Sequence, residues 1–480
     1  MHTRALVWFR ADLRVDDHPA LAEACRAADR GVVGVFVICP RQWRSHDWAD
    51  IKVEFLLRNL ACLSERLKRL RIPLLIRSVP TFERVPAVLR DVARQFNCDA
   101  LYFNREYEVN ERRRDEAVTS ALTGAGLDVR AFDDRTIVAP GALHTRQGGD
   151  YTVFTPFKRA WTAHIEAHGL DAPRPAPRPR ARLVCAPDSI PEQIAGFDLS
   201  RGRPDLWPAG ERVAQRRLSD FLSGPVTTYR KLRDRPAAEG TSRLSPYLTL
   251  GVLSPRRCLA EARDANDGRL DTGRAGPVTW INELIWREFY QHVLVAFPRV
   301  SMGRAFQPPT ERLPWRTADA DFAAWCAGRT GVPIVDAGLR QLAATGWMHN
   351  RLRMIVATYL AKDLLIDWRR GEQHFMRHLV DGDLASNNGG WQWAASTGTD
   401  AVPYFRIFNP YTQARKFDPD GEFIREWVPE LRDVATRALH DPAGLTEQRA
   451  ALDYPAPLCD HTAARQRAIE VFKAVLRRAD

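Results

Sequence analysis

Gly31-Val-Val-Gly-Val-Phe-Val-Ile38 is eight residues without a polar side chain. A strand with one wet face alternates apolar and polar residues. A run that does not alternate needs cover on both faces, the condition of a parallel sheet between helices. The flanks agree. Ala5-Leu-Val-Trp-Phe9 upstream is a shorter run of the same kind, and Ile51–Leu70 downstream has the spacing of an amphipathic helix. Between the two strands, Asp16-Asp-His-Pro19 reads as a helix opening, with acids and a proline in its first turn. Ile72-Pro-Leu-Leu-Ile76, a helix near 83–96, Ala100-Leu-Tyr-Phe103 and a helix near 110–124 continue the alternation. The expectation is an α/β N-terminal domain over residues 1–135, built on a doubly wound parallel sheet. This half has no Gly-x-Gly-x-x-Gly, which disfavours an ordinary dinucleotide site. The carboxyl ends of the strands stay available to a cofactor.

Residues 136–205 read as an interdomain connection. Asp171-Ala-Pro-Arg-Pro-Ala-Pro-Arg-Pro-Arg180 favours extended geometry and cannot be a helix. Phe154-Thr-Pro-Phe-Lys158 carries aromatics that need burial, so this piece is expected to dock. From 206 to 480 the texture is helical, with patterns at 209–222, 278–297, 334–345, 347–366 and 461–478. A larger all-α domain follows. Eight of the 14 tryptophans fall between Trp280 and Trp393, which suits either a heavy core or a large aromatic cofactor.

The 70 Lys and Arg outnumber the 59 Asp and Glu, leaving a charge of +11 that favours solubility and suits a polyanionic partner. The eight cysteines show no Cys-x-x-Cys spacing, which argues for reduced thiols over a disulfide framework or zinc site. No apolar run reaches membrane-spanning length and no apolar leader opens the chain. A soluble, cytoplasmic protein is expected.

Four groups of residues carry chemistry. Asp381-Gly-Asp-Leu-Ala-Ser-Asn-Asn-Gly-Gly-Trp-Gln-Trp393 combines two acids, adjacent amides, a glycine pair and two tryptophans. Alone it could be a polar turn leading into core tryptophans. As a cluster it favours a flat, hydrogen-bonding aromatic ligand beside a redox-capable indole. Gly389 and Gly390 admit close approach or positive φ, and on an extended segment Trp391 and Trp393 would share a face. The Asp381/Asp383 pair has no third ligand at metal spacing, so no metal is expected. Tyr229, Arg233 and Gly240-Thr-Ser-Arg-Leu-Ser-Pro-Tyr-Leu248 place hydroxyls and charge before a helical stretch, as a pyrophosphate or an ordinary helix cap would require. On a helix, Trp280, Glu283, Arg287 and Tyr290 share one side, with Trp286 adjacent. In Gly346-Trp-Met-His-Asn-Arg-Leu-Arg-Met354, Asn350 and Met354 share a helical face with Trp347, and Arg353 is a candidate partner for Asp381.

Together with Trp8-Phe-Arg-x-Asp-Leu-Arg-x-x-Asp-His-Pro-Ala-Leu21, these motifs resemble the DNA photolyase/cryptochrome family, and within it the bacterial members that act on cyclobutane pyrimidine dimers. The resemblance implies FAD in the helical domain, active as its reduced anionic hydroquinone. Tyr229, Thr241, Ser242, Arg243, Leu244, Ser245, Trp280, Arg353, Asp381 and Asp383 would hold it, with Asn387 at the flavin N5. Trp391, Trp368 and Trp315 match the family's electron relay, running from the flavin to the surface. Glu283 would bond to or protonate a pyrimidine carbonyl. Trp286 and Trp393 would stack on flipped bases, and Asn350 and Met354 would line the pocket. Arg233, Arg287, Arg351 and Gln413 would serve the DNA. The implied reaction is light-driven: one electron passes to a flipped-out dimer, the cyclobutane ring opens, and the electron returns. The implied partner is DNA containing pyrimidine dimers, and a monomer is expected.

Two positions separate this reading from its neighbours. Family members that repair (6-4) lesions carry histidines around Asn350 and Met354, and plant-type cryptochromes usually carry Asp at Asn387. Dimer repair therefore ranks above blue-light signalling without repair. For a second, light-harvesting chromophore, His46, Asn110 and Glu111 match the pattern that binds methenyltetrahydrofolate, with a deazaflavin as the alternative. Met302 stands where some folate-type members have Lys.

Overall fold

In a computed structural model, residues 2–179, 181, 183 and 185–477 are described. Backbone contacts divide the chain into two compact units. One runs to Thr227 and adds Ser242–Pro298 and Val380–Gly382. The other comprises Thr228–Thr241, Arg299–Leu379 and the chain from Asp383.

The first unit carries the sheet. β1 (Ala5–Phe9), β2 (Val32–Ile38), β3 (Leu74–Ser78), β4 (Ala100–Asn104) and β5 (Asp128–Phe132) lie in the order β3-β2-β1-β4-β5. Every pairing is parallel. β1, β2 and β4 are buried along their whole length, the reason they read as unbroken apolar runs. β5 has no such run in the sequence and is half-exposed at the sheet edge, so periodicity does not reveal it. The crossover helices are Pro19–Ala27, Asp50–Arg69, Val85–Gln95 and Val109–Thr123. Pro19 takes the first helical position, and the cap before it is His18, whose Nδ1 accepts from the Leu21 amide at 3.0 Å.

Strand order reverses between β1 and β4, where a doubly wound fold usually opens its ligand crevice. Here the chain fills that position with its own charges. Asp12 meets His18 at 3.0 Å and Asn104 at 2.8 Å. Arg14 and Arg256 both donate to Asp134 at 2.6 Å, and Ser254 donates to Asp17. Burial raises the Asp134 pKa, but the two guanidiniums outweigh it and hold the carboxyl far below the usual range. The stretch 136–205 lies wholly in this first unit. Phe154–His168 is a helix with Phe154, Phe157 and Trp161 buried, while 171–179 forms no helix and is pinned where the Asp17 amide donates to Arg174 O at 2.7 Å. Arg180 and the last residue of the expected 461–478 helix lie outside the described residues.

The second unit is helical. Its longer members are Pro333–Thr345, Asn350–Thr358, Trp368–Met376, Leu384–Ala395 and His461–Leu476. They enclose an apolar core that includes Trp325, Trp368, Phe375 and Trp391. The helix expected over 347–366 is shorter. It begins at Asn350, capped by His349, and passes into a π-helical turn at Tyr359–Asp363. Trp347 therefore precedes the helix and does not share its face.

Candidate active site

In the first unit the site residues sit on the helix Ala275–Ala296. Its inner face buries Ile281, Leu284, Ile285, Glu288 and Phe289. Glu288 is the anchor that sequence reading missed. Its carboxylate accepts from the Ile137 amide at 2.7 Å, the Val138 amide at 2.8 Å and Trp161 Nε1 at 2.7 Å, tying the Phe154–His168 helix to this one. With that face fixed, Glu283, Trp286, Arg287 and Tyr290 are left half-buried along one edge, as the spacing predicts. Arg287 donates to Arg135 O at 2.6 Å. The Phe154 ring lies flat on the Trp286 indole, with centroids 3.6 Å apart and planes 5° from parallel. One face of that indole is covered while the residue as a whole keeps part of its exposure.

Trp280 is buried and donates from Nε1 to Ser242 Oγ at 3.3 Å. The run from Ser242 turns through Arg243, an exposed residue at φ 49°, into the short helix Ser245–Thr249, with Leu244 buried behind it. Asp381 is buried in a segment held twice. Thr249 Oγ1 donates to Asp381 O at 3.2 Å, and Lys52 Nζ donates to Gly382 O at 2.7 Å. His46, Asn110 and Glu111 converge at the carboxyl ends of the strands. His46 Nδ1 lies 3.2 Å from Glu111 Oε1, and its Nε2 lies 3.0 Å from Asn110 Nδ2 and 2.9 Å from Gln42 Nε2. Burial pulls the His46 pKa down, but the bond and charge of Glu111 outweigh it and leave a net rise.

In the second unit, the stretch Leu384–Ala395 is a helix, not an extended segment. Successive helical positions two apart point in nearly opposite directions, so Trp391 and Trp393 do not share a face. Trp391 is buried against Phe375 and Trp325, while Trp393 is half-buried near Phe408. Gly389 and Gly390 are ordinary helical residues, with no positive φ. The glycine that permits close approach is Gly371, one turn from Trp368: a Cβ there would lie 2.2 Å from the Trp391 ring. Trp368 is buried and Trp315 only partly so, at the edge of Phe472. Asp383 caps the helix through the Ser386 amide at 3.0 Å. Asn387 donates from Nδ2 to Glu372 O at 3.0 Å. Its amide oxygen accepts no hydrogen bond among the described residues.

Tyr229 is buried with Arg233 over its ring at 5.6 Å, and Thr241 is half-buried. Arg351 donates to Asp234 at 2.8 Å and lies over Phe417 at 4.3 Å. Arg353 Nε donates to Met348 O at 2.8 Å. Asn350 is exposed, and Met354 and Gln413 are half-buried. Asp234 is a neighbour that no motif announced, whereas Phe154 belongs to a piece expected to dock and does so on Trp286.

Two family models match the chain: "DNA photolyase" over residues 5–179 and "FAD binding domain of DNA photolyase" over residues 280–474. Among curated proteins, the deoxyribodipyrimidine photo-lyase of Escherichia coli is 46% identical over 483 residues, covering 98% of this chain and 99% of its own. That of Salmonella typhimurium is 45% identical, covering 98% of each. Among solved structures, a class III photolyase from Agrobacterium tumefaciens superposes with a TM-score of 0.88 at 34% identity, covering 99% of this chain and 98% of its own.

Proposed function

We propose, from the premise that this chain belongs to the DNA photolyase family, that it is a deoxyribodipyrimidine photo-lyase and splits cyclobutane pyrimidine dimers in DNA under blue or near-ultraviolet light. The observation that carries this reading beyond family membership is the edge of the Ala275–Ala296 helix. It pairs a half-buried carboxyl, Glu283, with a half-buried indole, Trp286, stiffened from behind by Phe154. A flipped base needs both an aromatic face and a polar group for its rim. Damaged pairs are cheaper to unstack, so such a pocket selects them.

The chain carries the FAD-binding domain of this family, and its residues suit the cofactor. Asn387 keeps its amide oxygen as an acceptor for the flavin N5–H, because Nδ2 is turned to Glu372 O. Thr241, Ser242, Arg243 and Ser245 supply hydroxyl and cationic donors for the pyrophosphate, with Tyr229, Leu244 and Trp280 beside them and Arg353, Asp381 and Asp383 as polar contacts for the ring. When bound and reduced, FAD supplies on excitation the single electron that opens the cyclobutane ring and recovers it afterwards. Glu283 then holds or protonates a pyrimidine carbonyl, Trp286 and Trp393 hold the bases, and Asn350 and Met354 line the pocket. Trp391, Trp368 and Trp315 form the relay that reduces the flavin, and their grading from buried to partly exposed supports that order. Arg233, Arg287, Arg351 and Gln413 address the DNA, and the net charge of +11 supplies sequence-independent attraction. The flavin and DNA sites belong to the chain beyond residue 206. The His46–Asn110–Glu111 cluster belongs to the part before residue 135 and holds methenyltetrahydrofolate as the light-harvesting chromophore. The protein acts as a cytoplasmic monomer.

The deciding experiment is light-dependent repair of a thymine cyclobutane dimer in an oligonucleotide by the reduced protein, with a dark control. Repair is expected in the light and is expected to fall by about 10²-fold or more in Glu283→Ala if proton donation to the carbonyl is required. A protein that photoreduces its flavin and leaves every dimer intact would overturn the reading in favour of signalling.

A further inference from the structure

Asp234 lies among arginines. Its Oδ1 accepts from Arg351 Nη2 at 2.8 Å and Nε at 3.3 Å, and lies 3.9 Å from Arg233 Nε. The Phe417 ring sits 4.3 Å under the Arg351 guanidinium, so that group is held from two directions. Behind them is His349, almost fully buried, whose Nδ1 accepts from the Arg351 amide at 3.2 Å. Burial pushes the His349 imidazole down to about 4. Of the charges near it, Asp234 opposes that shift, whereas Arg351, Arg353 and Arg233 reinforce it. At neutral pH three guanidiniums and the Asp234 carboxylate therefore surround a neutral imidazole. The carboxylate touches the two arginines assigned above to DNA. A carboxylate gripped by a guanidinium through two N–H groups has the same recognition chemistry as a phosphate diester oxygen.

We propose that Asp234 is an internal stand-in for a DNA phosphate: it keeps Arg351 oriented when no DNA is bound and competes with the DNA backbone for the same guanidinium. The inference rests on the reading of Arg233 and Arg351 as DNA contacts. Intact duplex offers phosphates and no flipped dimer. Phosphate affinity beyond that needed for encounter only retains the enzyme on undamaged DNA, and Asp234 holds that affinity down. The pair is 18% and 33% exposed on its two sides, so the partners can exchange without opening a core. An arginine already shared with a carboxylate neutralises less than one phosphate, and fewer counterions are released when DNA binds.

The test is binding of the FAD-loaded protein to an undamaged duplex oligonucleotide at several salt concentrations, for the parent, Asp234→Asn, Arg351→Gln and the double variant. Asp234→Asn is expected to bind severalfold more tightly, with a log–log salt slope steeper by up to about 0.9, the contribution of one phosphate. That gain is expected to vanish in the Arg351→Gln background, because the two side chains act as a pair. Asp234→Ser gives the same reading should the amide variant fold poorly. If Asp234→Asn binds no more tightly while Arg351→Gln still weakens binding, Asp234 is a scaffold and the inference is wrong. If Arg351→Gln leaves DNA affinity unchanged, the premise has failed instead, and the inference falls with it.

Discussion

At the residue scale, two glycines on neighbouring helices predict opposite outcomes from the same substitution. In a helix interior alanine is favoured over glycine by about 1 kcal/mol. Gly390 is exposed and a Cβ there meets nothing within 4 Å, so Gly390→Ala is expected to raise stability by about that amount. At Gly371 the added Cβ would lie 2.2 Å from the Trp391 ring and 2.6 Å from Leu360, in a core with no room to yield. Overpacking costs about 1–3 kcal/mol, so Gly371→Ala is expected to lower stability despite its better propensity. Thermal or urea melting of the two variants beside the parent reads both signs. The sequence offers no means of ranking these glycines: the Gly389–Gly390 pair draws attention by sitting beside Trp391, whereas Gly371 meets that indole from another helix. Asp234 was hidden for a similar reason. It sits one residue after Arg233 in the chain, but its strongest partner is 117 residues away.

At the scale of elements, the alternation of buried runs and amphipathic stretches made four of the five strands legible. The edge strand β3 still carries the apolar run Leu74–Ile76, whereas β5, Asp128-Val-Arg-Ala-Phe132, is fully buried nowhere along its length and has no such run. The motif helices at 278–297 and after His349 were legible by spacing, whereas Leu384–Ala395 was not, because its Asn, Gly and Trp content reads as a turn or an extended segment. The starts of the last two are set by the capping side chains of His349 and Asp383. The convergence of the segments after β2, β3 and β4 was visible only as three separated residues. In the folded chain Phe82 stands edge-on to His46 at 5.7 Å, completing a polar and aromatic patch with Asn110 and Glu111. If that patch holds the folate, Glu111→Ala is expected to remove the pterin absorption from protein reconstituted with methenyltetrahydrofolate while the FAD absorption is retained. An unchanged pterin band would move the antenna elsewhere. The His46–Glu111 pairing raises the folded-state pKa of the histidine. Its contribution to stability is fully present below the ordinary histidine value and is lost as pH rises through the raised one.

At the scale of the whole molecule, unfolding carries the signature of a fully buried amine, that of Lys362. Lys362 is fully buried, donates to Ser396 Oγ at 2.9 Å and lies 3.5 Å from the Phe472 ring centroid. Burial lowers its pKa well below 10.5, so the folded chain holds fewer protons there than the unfolded chain. Stability therefore rises with pH between the lowered value and 10.5, and the penalty for burial is felt at neutral pH. Lys362→Met is expected to melt higher than the parent at pH 7, with the gap closing as pH approaches 10. A gap that stays constant with pH would show that the amine is paired as a cation. No sequence pattern exposes such a lysine, because burial of a charge-bearing residue is decided by the packing of distant segments.

The stack of Phe154 on Trp286 gives the indole a front and a back. A free tryptophan side chain is a two-sided surface and accepts a planar partner from either direction. With a phenyl ring 3.6 Å behind it, this one has a single side to offer. A planar partner can therefore stack on it from one direction only. The two-sided surface becomes a one-sided shelf, so Phe154 sets the direction of approach and leaves the partner free to present either of its own faces.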